Sequence, residues 1–214
     1  LSNLILEVAE IRDIKRIRYT TSHPRDFTDD LILAHQNCEK LMPLIHLPVQ
    51  SGSNKILKKM NRKHTVEEYL EIIKRLKKAN SNIQFSSDFI IGYPEETQED
   101  FKQTLDLMEK VKFINSYSFV FSARPGTPAF NLERIEENIS RDRLKKFQSL
   151  SNDVKTKYRK TLLNKSITVL FENETKQKNK YFGRDEHFNS VIVESDVNLI
   201  GKINSYLESA GLKI

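Results

Sequence analysis

The chain of 214 residues has a single cysteine, Cys38. One cysteine excludes an intrachain disulfide and any metal site built from this chain's thiolates alone. No apolar run approaches the roughly 20 residues that a membrane span needs, and no secretory leader is recognisable. The sequence therefore implies no membrane partner and a cytoplasmic location. The five histidines show no HxxxH spacing of the kind that holds zinc. Phosphate-cradling GxxxxGK[ST] loops, dinucleotide-binding GxGxxG turns and GxSxG nucleophile elbows are also missing. Without a catalytic lysine, a triad or a metal cluster to point to, an unrelated aldolase or hydrolase is disfavoured. The first residue is Leu1 rather than methionine, so a piece of a longer protein is expected.

Aromatic residues are plentiful, with twelve Phe and seven Tyr, and 38% of the chain is hydrophobic. That composition excludes a disordered chain and fits one medium domain, or one with a small appendage. The net charge of +6 is unevenly distributed. Residues 1–138 are balanced, whereas residues 139–165 carry nine basic side chains against two acidic ones. A basic stripe of this kind attracts phosphates, and it also serves as an ordinary solvated helix face.

Apolar spacing predicts alternating elements over the first 130 residues. Helices are expected over Ser2–Asp13, from Thr28, from the capping box Thr65-Val-Glu-Glu68 through Ala79, and over Thr97–Val111. Strands are expected over Ile14–Thr21, Leu44–Val49, Ile83–Ile91 and Ser116–Phe121. Strand starts 30–40 residues apart have the rhythm of βα units, which build a parallel sheet with helices outside it. The polar and Gly/Pro-rich stretches SHPRD, QSGSN, GYPEE and SARPGTP all follow strand ends. In open sheets and barrels alike, ligands bind at that carboxyl edge. After Pro128 the pattern changes to one amphipathic helix over Ile139–Leu163, with Leu144, Phe147, Leu150, Val154 and Tyr158 on one face. Short strands follow over Ile167–Phe171, Tyr181–Phe182 and Val191–Val193, the pattern of a small barrel.

Several residues could carry chemistry. In His46-Leu-Pro-Val-Gln50-Ser51-Gly52-Ser53, Gln50 can donate and accept, Ser51 and Ser53 offer hydroxyls, and Gly52 permits close backbone approach. Ser53 would cap the next helix. The set suits a ligand with several hydroxyls, such as a ribose, and equally an ordinary strand-to-helix turn. Asp88 lies within an apolar strand and needs a partner there, either a ligand group or a structural cation. Arg124, before Pro125-Gly-Thr-Pro128, could take a carboxylate or phosphate bidentately, or cap the sheet edge. Tyr181 and Phe182 fit a small barrel core better than a base-stacking surface. Cys38, at a helix end, reads as inert.

Thr20-Thr-Ser-His-Pro24, His46-Leu-Pro-Val-Gln-Ser-Gly-Ser53, Ser87-Asp-Phe-Ile-Ile-Gly-Tyr-Pro94 and Phe121-Ser-Ala-Arg-Pro-Gly-Thr-Pro128, in that order, resemble the radical S-adenosylmethionine (SAM) methylthiotransferases, and within them the branch that modifies isopentenyl-adenosine in tRNA. The likeness runs from about Leu1 to about Gly201. It implies a partial radical SAM (βα) barrel of later units over residues 1–138, a basic helix over 139–163, and a TRAM-like β barrel over 164–214. It implies transfer of a methylthio group next to the anticodon, with the tRNA anticodon stem-loop as partner. It places Gln50, Arg62, Asp88 and Ala123 at the SAM contacts, with Ser51 and Arg124 beside them. The family holds its [4Fe–4S] clusters with cysteines, one set in a CxxxCxxC loop, and neither set occurs here. This chain alone is therefore expected to be inactive, with a missing N-terminal segment as a further partner. A non-catalytic RNA-binding module on a scaffold is the competing reading. Lys202–Ile214 departs from the family pattern, which would leave the β barrel a strand short.

Overall fold

The computed structural model describes residues 1–20 and 23–207. Thr21 and Ser22 of the TTSHP stretch, and the end of the chain after Leu207, lie outside the described residues. The chain runs α1 (Ser2–Glu10), α2 (Asp29–Asn37), β1 (Leu44–His46), α3 (Asn54–Lys59), α4 (Val66–Ala79), β2 (Gln84–Ile91), α5 (Gln98–Val111) and β3 (Asn115–Val120). It continues through α6 (Glu137–Lys160) into β4 (Ser166–Glu174), β5 (Lys180–Arg184), β6 (Ser190–Glu194) and β7 (Ile203–Leu207).

β1, β2 and β3 form a parallel sheet in that order, with β2 central. Side-chain alternation along β2 gives the sheet two unlike faces. Phe85, Ser87, Phe89 and Ile91 are buried against the helices. The same core takes Tyr69 and Leu76 of α4, Phe101 and Met108 of α5, and Phe147 and Val154 of α6. Ser86, Asp88 and Ile90 occupy the opposite face, which β3 continues with Tyr117 and Phe119, each 59% exposed. Of the three long outer helices, α4 and α5 start on capping boxes. Thr65 accepts from the Glu68 N–H, and Thr97 accepts from the Asp100 N–H.

Among the described residues, the strand expected over Ile14–Thr21 is reduced to one parallel bridge, Ile17 to Leu41. Two of its cationic side chains, Arg16 and Arg18, turn instead to the C-terminal sheet and its β5–β6 turn. The Arg16 guanidinium donates to the carbonyls of Thr168 (2.6 Å) and Arg184 (3.0 Å), and Arg18 lies 4.0 Å over the Phe188 ring. A segment with one neighbouring chain on its edge and cationic side chains drawn off it does not sustain a ladder.

The C-terminal sheet is antiparallel, ordered β6-β5-β4-β7. Its inner face buries Val169, Phe171, Tyr181 and Val191. The stretch after Gly201 does form a strand, β7, paired antiparallel with β4 from Ser166–Leu207 to Leu170–Ile203. Among the described residues β6 and β7 are the two edges. Tyr181 is a core residue, and the adjacent Phe182 sits on the other face, half-buried with Arg184 5.5 Å over its ring.

Candidate functional site

A cavity of about 730 Å³ opens at the carboxyl edge of the parallel sheet, within the usual range for small-molecule sites, roughly 300–1,000 Å³. Gln50, Arg62, Asp88 and Arg124 all line it. These four residues come from separate parts of the chain, and only the sheet edge brings them together.

Gln50 stands where β1 has ended but its ladder resumes for one residue. Its N–H donates to the Asp88 carbonyl at 3.0 Å, and its carbonyl accepts from the Ile90 N–H at 2.9 Å. It does this with φ of +76°, a left-handed backbone that a side-chain-bearing residue seldom adopts. Strain of this kind persists only where the surroundings fix it, and it gathers at ligand sites. Here the turn that follows does the fixing. The Gly52 N–H donates to Thr104 Oγ1 (3.0 Å), the Ser53 N–H donates to Ser51 Oγ (3.1 Å), and the Ser53 hydroxyl donates to Asp100 Oδ1 (2.7 Å). Gly52 passes so near α5 that a Cβ there would fall 2.6 Å from the Thr104 Cα. Ser53 also accepts from the Ile56 N–H, capping α3.

The turn after β2 forms the next wall. Gly92 adopts φ of +73° and lies against Ser140 of α6, whose Cβ would stand 2.8 Å from an added Cβ. Tyr93 then reaches back, its hydroxyl donating to the Lys59 carbonyl at 3.0 Å, with its ring 4.8 Å from Phe121. Glu96 anchors the turn from behind by accepting from the Gly92 N–H (3.1 Å) and from Arg143 Nη1 (2.8 Å). Met60, Ile90, Tyr93 and Phe121 make one side of the cavity apolar.

Electrostatically the polar side is mixed. Burial pulls the Arg62 guanidinium below its ordinary value, and the nearby Asp88 carboxylate pushes it back up. Burial raises the Tyr93 phenol. A carboxylate near one guanidinium, with a second guanidinium and an apolar wall lining the same cavity, suits a ligand that carries an ammonium, a carboxylate and a flat apolar body.

The other two expected site residues are placed differently. Ser51 is fully buried, its hydroxyl serving the turn rather than the cavity. Ala123 is half-buried and does not line the cavity, although its neighbours Ser122 and Arg124 do. The residues missed from sequence are mainly Tyr93 and Phe121, which sit in the quoted GYPEE and FSARPGTP stretches. Their position just past strand ends was the available signal. Cys38 caps the C-terminus of α2, away from these lining residues. Among the described residues no group of three or more His, Cys, Asp and Glu could hold a metal ion.

Comparison with known proteins places this geometry in context. A family model described as the radical SAM superfamily matches residues 1–108. The chain is 55% identical over 203 residues to the tRNA-2-methylthio-N(6)-dimethylallyladenosine synthase of Pelagibacter ubique, covering 95% of this chain and 46% of the relative. The synthase of the same name from Zymomonas mobilis is 45% identical, covering 99% of this chain and 48% of the relative. The one from the Wolbachia of Brugia malayi is 48% identical, covering 91% and 44%. The chain thus spans about half the length of the curated relatives it matches. Among solved structures, coproporphyrinogen III oxidase from Escherichia coli, described as a radical SAM enzyme, superposes with a TM-score of 0.56 at 14% identity. The match covers 86% of this chain and 50% of that one, a likeness of fold alone.

Proposed function

The chain belongs to the radical SAM superfamily, and on that premise we propose that it is part of a tRNA methylthiotransferase whose SAM pocket includes the carboxyl-edge cavity. The supporting observation is the convergence of Gln50, Arg62, Asp88 and Arg124 on that one cavity. In the proposed complex Asp88 and the Gln50 amide take the ammonium group and the ribose hydroxyls. Arg62 and Arg124 take the carboxylate, and Ile90, Tyr93 and Phe121 shelter the adenine from water. Ala123 contributes its main chain, which lies between two lining residues, and Ser51 holds the turn that fixes Gln50.

Held by Gln50, Arg62, Asp88 and Arg124, SAM would supply radical chemistry toward the base to be modified, with an iron–sulfur cluster as the source of the electron. Cluster ligands are thiolates. With one cysteine in the chain, those ligands would come from outside these residues. The substrate by this account is an N6-dimethylallyl (isopentenyl) adenosine of a tRNA, after the names of the relatives, and its position beside the anticodon is what the family resemblance implies. The proposed division is a partial barrel over 1–138, a basic helix over 139–163 and a TRAM-like β unit over 164–214.

Reconstitution with iron and sulfide tests this reading. The chain alone should develop no stoichiometric four-iron absorbance and should not cleave SAM, whereas joined to a cluster-bearing segment it should gain cleavage. A stoichiometric cluster on the chain alone would contradict the account.

The basic surplus of residues 139–165 favours one further reading, an RNA-binding module with the sheet as scaffold. Titration of tRNA at rising salt separates the two. Binding that steepens at low salt without any SAM affinity favours the module, and no affinity for tRNA at low salt removes it.

A further inference from the structure

Beneath the cavity, on the same sheet face, three polar side chains stand in line, and the proposed ligand contacts use only the last of them. His46 ends β1 and is the Cα partner of Ser86 on β2. Ser86 Oγ lies 3.0 Å from His46 Nδ1, and His46 Nε2 lies 3.5 Å from Asp88 Oδ2. Tyr117, the Cα partner of Asp88 on β3, packs edge-to-face on the imidazole at 6.2 Å between ring centroids. The histidine side chain is 16% exposed and that of Asp88 31%. The carboxylate thus reaches toward the cavity while the ring supports it from the sheet side.

Two residues apart on one strand, Ser86 and Asp88 point to the same face, and His46 on the neighbouring strand bridges them. A hydroxyl can donate or accept, so the Ser86 contact is compatible with either tautomer of the ring. A carboxylate accepts only, which favours a proton on Nε2 and leaves Nδ1 to accept from Ser86. Arg62 flanks the same carboxylate electrostatically.

We propose that His46 is a positioning residue for Asp88: the Ser86 hydroxyl donates to Nδ1, the ring keeps its proton on Nε2, and that N–H aims the carboxylate so that an oxygen faces the ligand. The ligand half rests on the SAM reading of the cavity, and the tautomer half does not.

Two measurements on the full chain test it. Imidazole nitrogen NMR should show His46 protonated on Nε2 with Nδ1 accepting, a bias that Ser86→Ala weakens. A ring protonated on Nδ1 overturns the relay whether or not SAM binds. The second measurement is the dissociation constant for SAM itself. His46→Leu should weaken binding about tenfold, and His46→Gln, whose amide can reach the same carboxylate, should recover most of the loss. In an Asp88→Asn background His46→Leu should add nothing to the loss of SAM affinity, the coupling expected of residues in contact. An equal tenfold loss in both backgrounds would show a merely structural role and overturn the proposal. A wild-type chain without SAM affinity would sink the cavity reading and the ligand half together, with the NMR result still deciding the Ser86–His46–Asp88 line.

Discussion

Arg143 and Glu96 show how one residue can mislead a reading of charge. Arg143 belongs to the basic run of 139–165, yet its side chain is 10% exposed and that of Glu96 is fully buried. Arg143 Nη1 donates to both the Glu96 carboxylate and the Glu96 carbonyl, each at 2.8 Å. Burial pushes the Glu96 carboxyl up, and the Gly92 N–H and Arg143 work against that push. Removing one partner leaves a buried charge unpaired. Arg143→Met should therefore cost about 3–5 kcal/mol in chemical denaturation, with Glu96→Gln added to it recovering part of the loss. Position 143 lies four residues before Phe147 on the apolar stripe, the clue that it turns inward. At the cavity, by contrast, Gln50 and Arg124 stand out in the sequence as polar residues just past expected strands, and Asp88 as a charge within an apolar one. His46 was not, because a histidine on a short apolar strand has no distinguishing neighbours in sequence.

Titration belongs to the residue scale too. Burial lowers His35 and His64 from 6.5 to about 4. For His64 the nearby His23 and Arg62 lower it further, against a smaller upward pull from Glu68. The unfolded chain then binds more protons than the folded one between about pH 6.5 and 4. Stability from these groups is complete above that window and is lost as pH falls through it. Asp100 acts lower: burial opposes its ionised form, but hydrogen bonds from Lys55, Ser53 and Thr97 outweigh burial and hold it below the usual carboxylate range. Its contribution fades as pH falls from the ordinary carboxylate value, 3.8, downward. Denaturant melts across pH should show an acid limb that the pair His35→Gln and His64→Gln flattens above pH 4 and Asp100→Asn flattens below it. A limb unchanged by the histidine pair would contradict the assignment.

At the scale of elements, local chemistry decided what could be read. The capping box of α4 begins where Thr-x-x-Glu predicts it, and α5 begins at the expected Thr97, where Asp100 closes a second box. Thr65→Ala should lower stability by about 0.5–2 kcal/mol in denaturant titrations. Gly52→Ala should cost more than that, because the added carbon meets α5 backbone rather than a movable side chain. Where long-range partners rule, the sequence was less explicit. Ile14–Thr21 alternates like a strand, but Arg16 and Arg18 take their partners from a sheet more than 140 residues later. β7 was missed because Asn204 and Ser205 dilute its apolar pattern, and its partner β4 supplies the order.

For the molecule as a whole, the two sheets and α6 meet at one turn. Asp185 is buried and accepts from the N–H groups of His187 and Asn189 at 2.9 and 2.7 Å. The folded turn sets His187 Nε2 2.9 Å from the Asn82 carbonyl and packs its ring on Tyr158 of α6. Phe188 is held between Arg18 and Arg184, with the guanidinium carbons 4.0 and 4.1 Å from the ring centroid. The basic helix is thus tied at one end to the C-terminal sheet and, through Arg143, at the other to the cavity turn. The βα rhythm and the change of pattern after Pro128 were visible beforehand, but this docking was not, because it depends on pairs far apart in the chain.

The most direct test of the cavity's role is a crystal structure of the chain grown with SAM. The account predicts density for the ligand at the carboxyl edge, its amino acid end between Asp88 and the guanidinium groups of Arg62 and Arg124, and its adenine against Ile90, Tyr93 and Phe121. Ligand density at another surface, with Asp88 and Arg62 closed on each other, would contradict it.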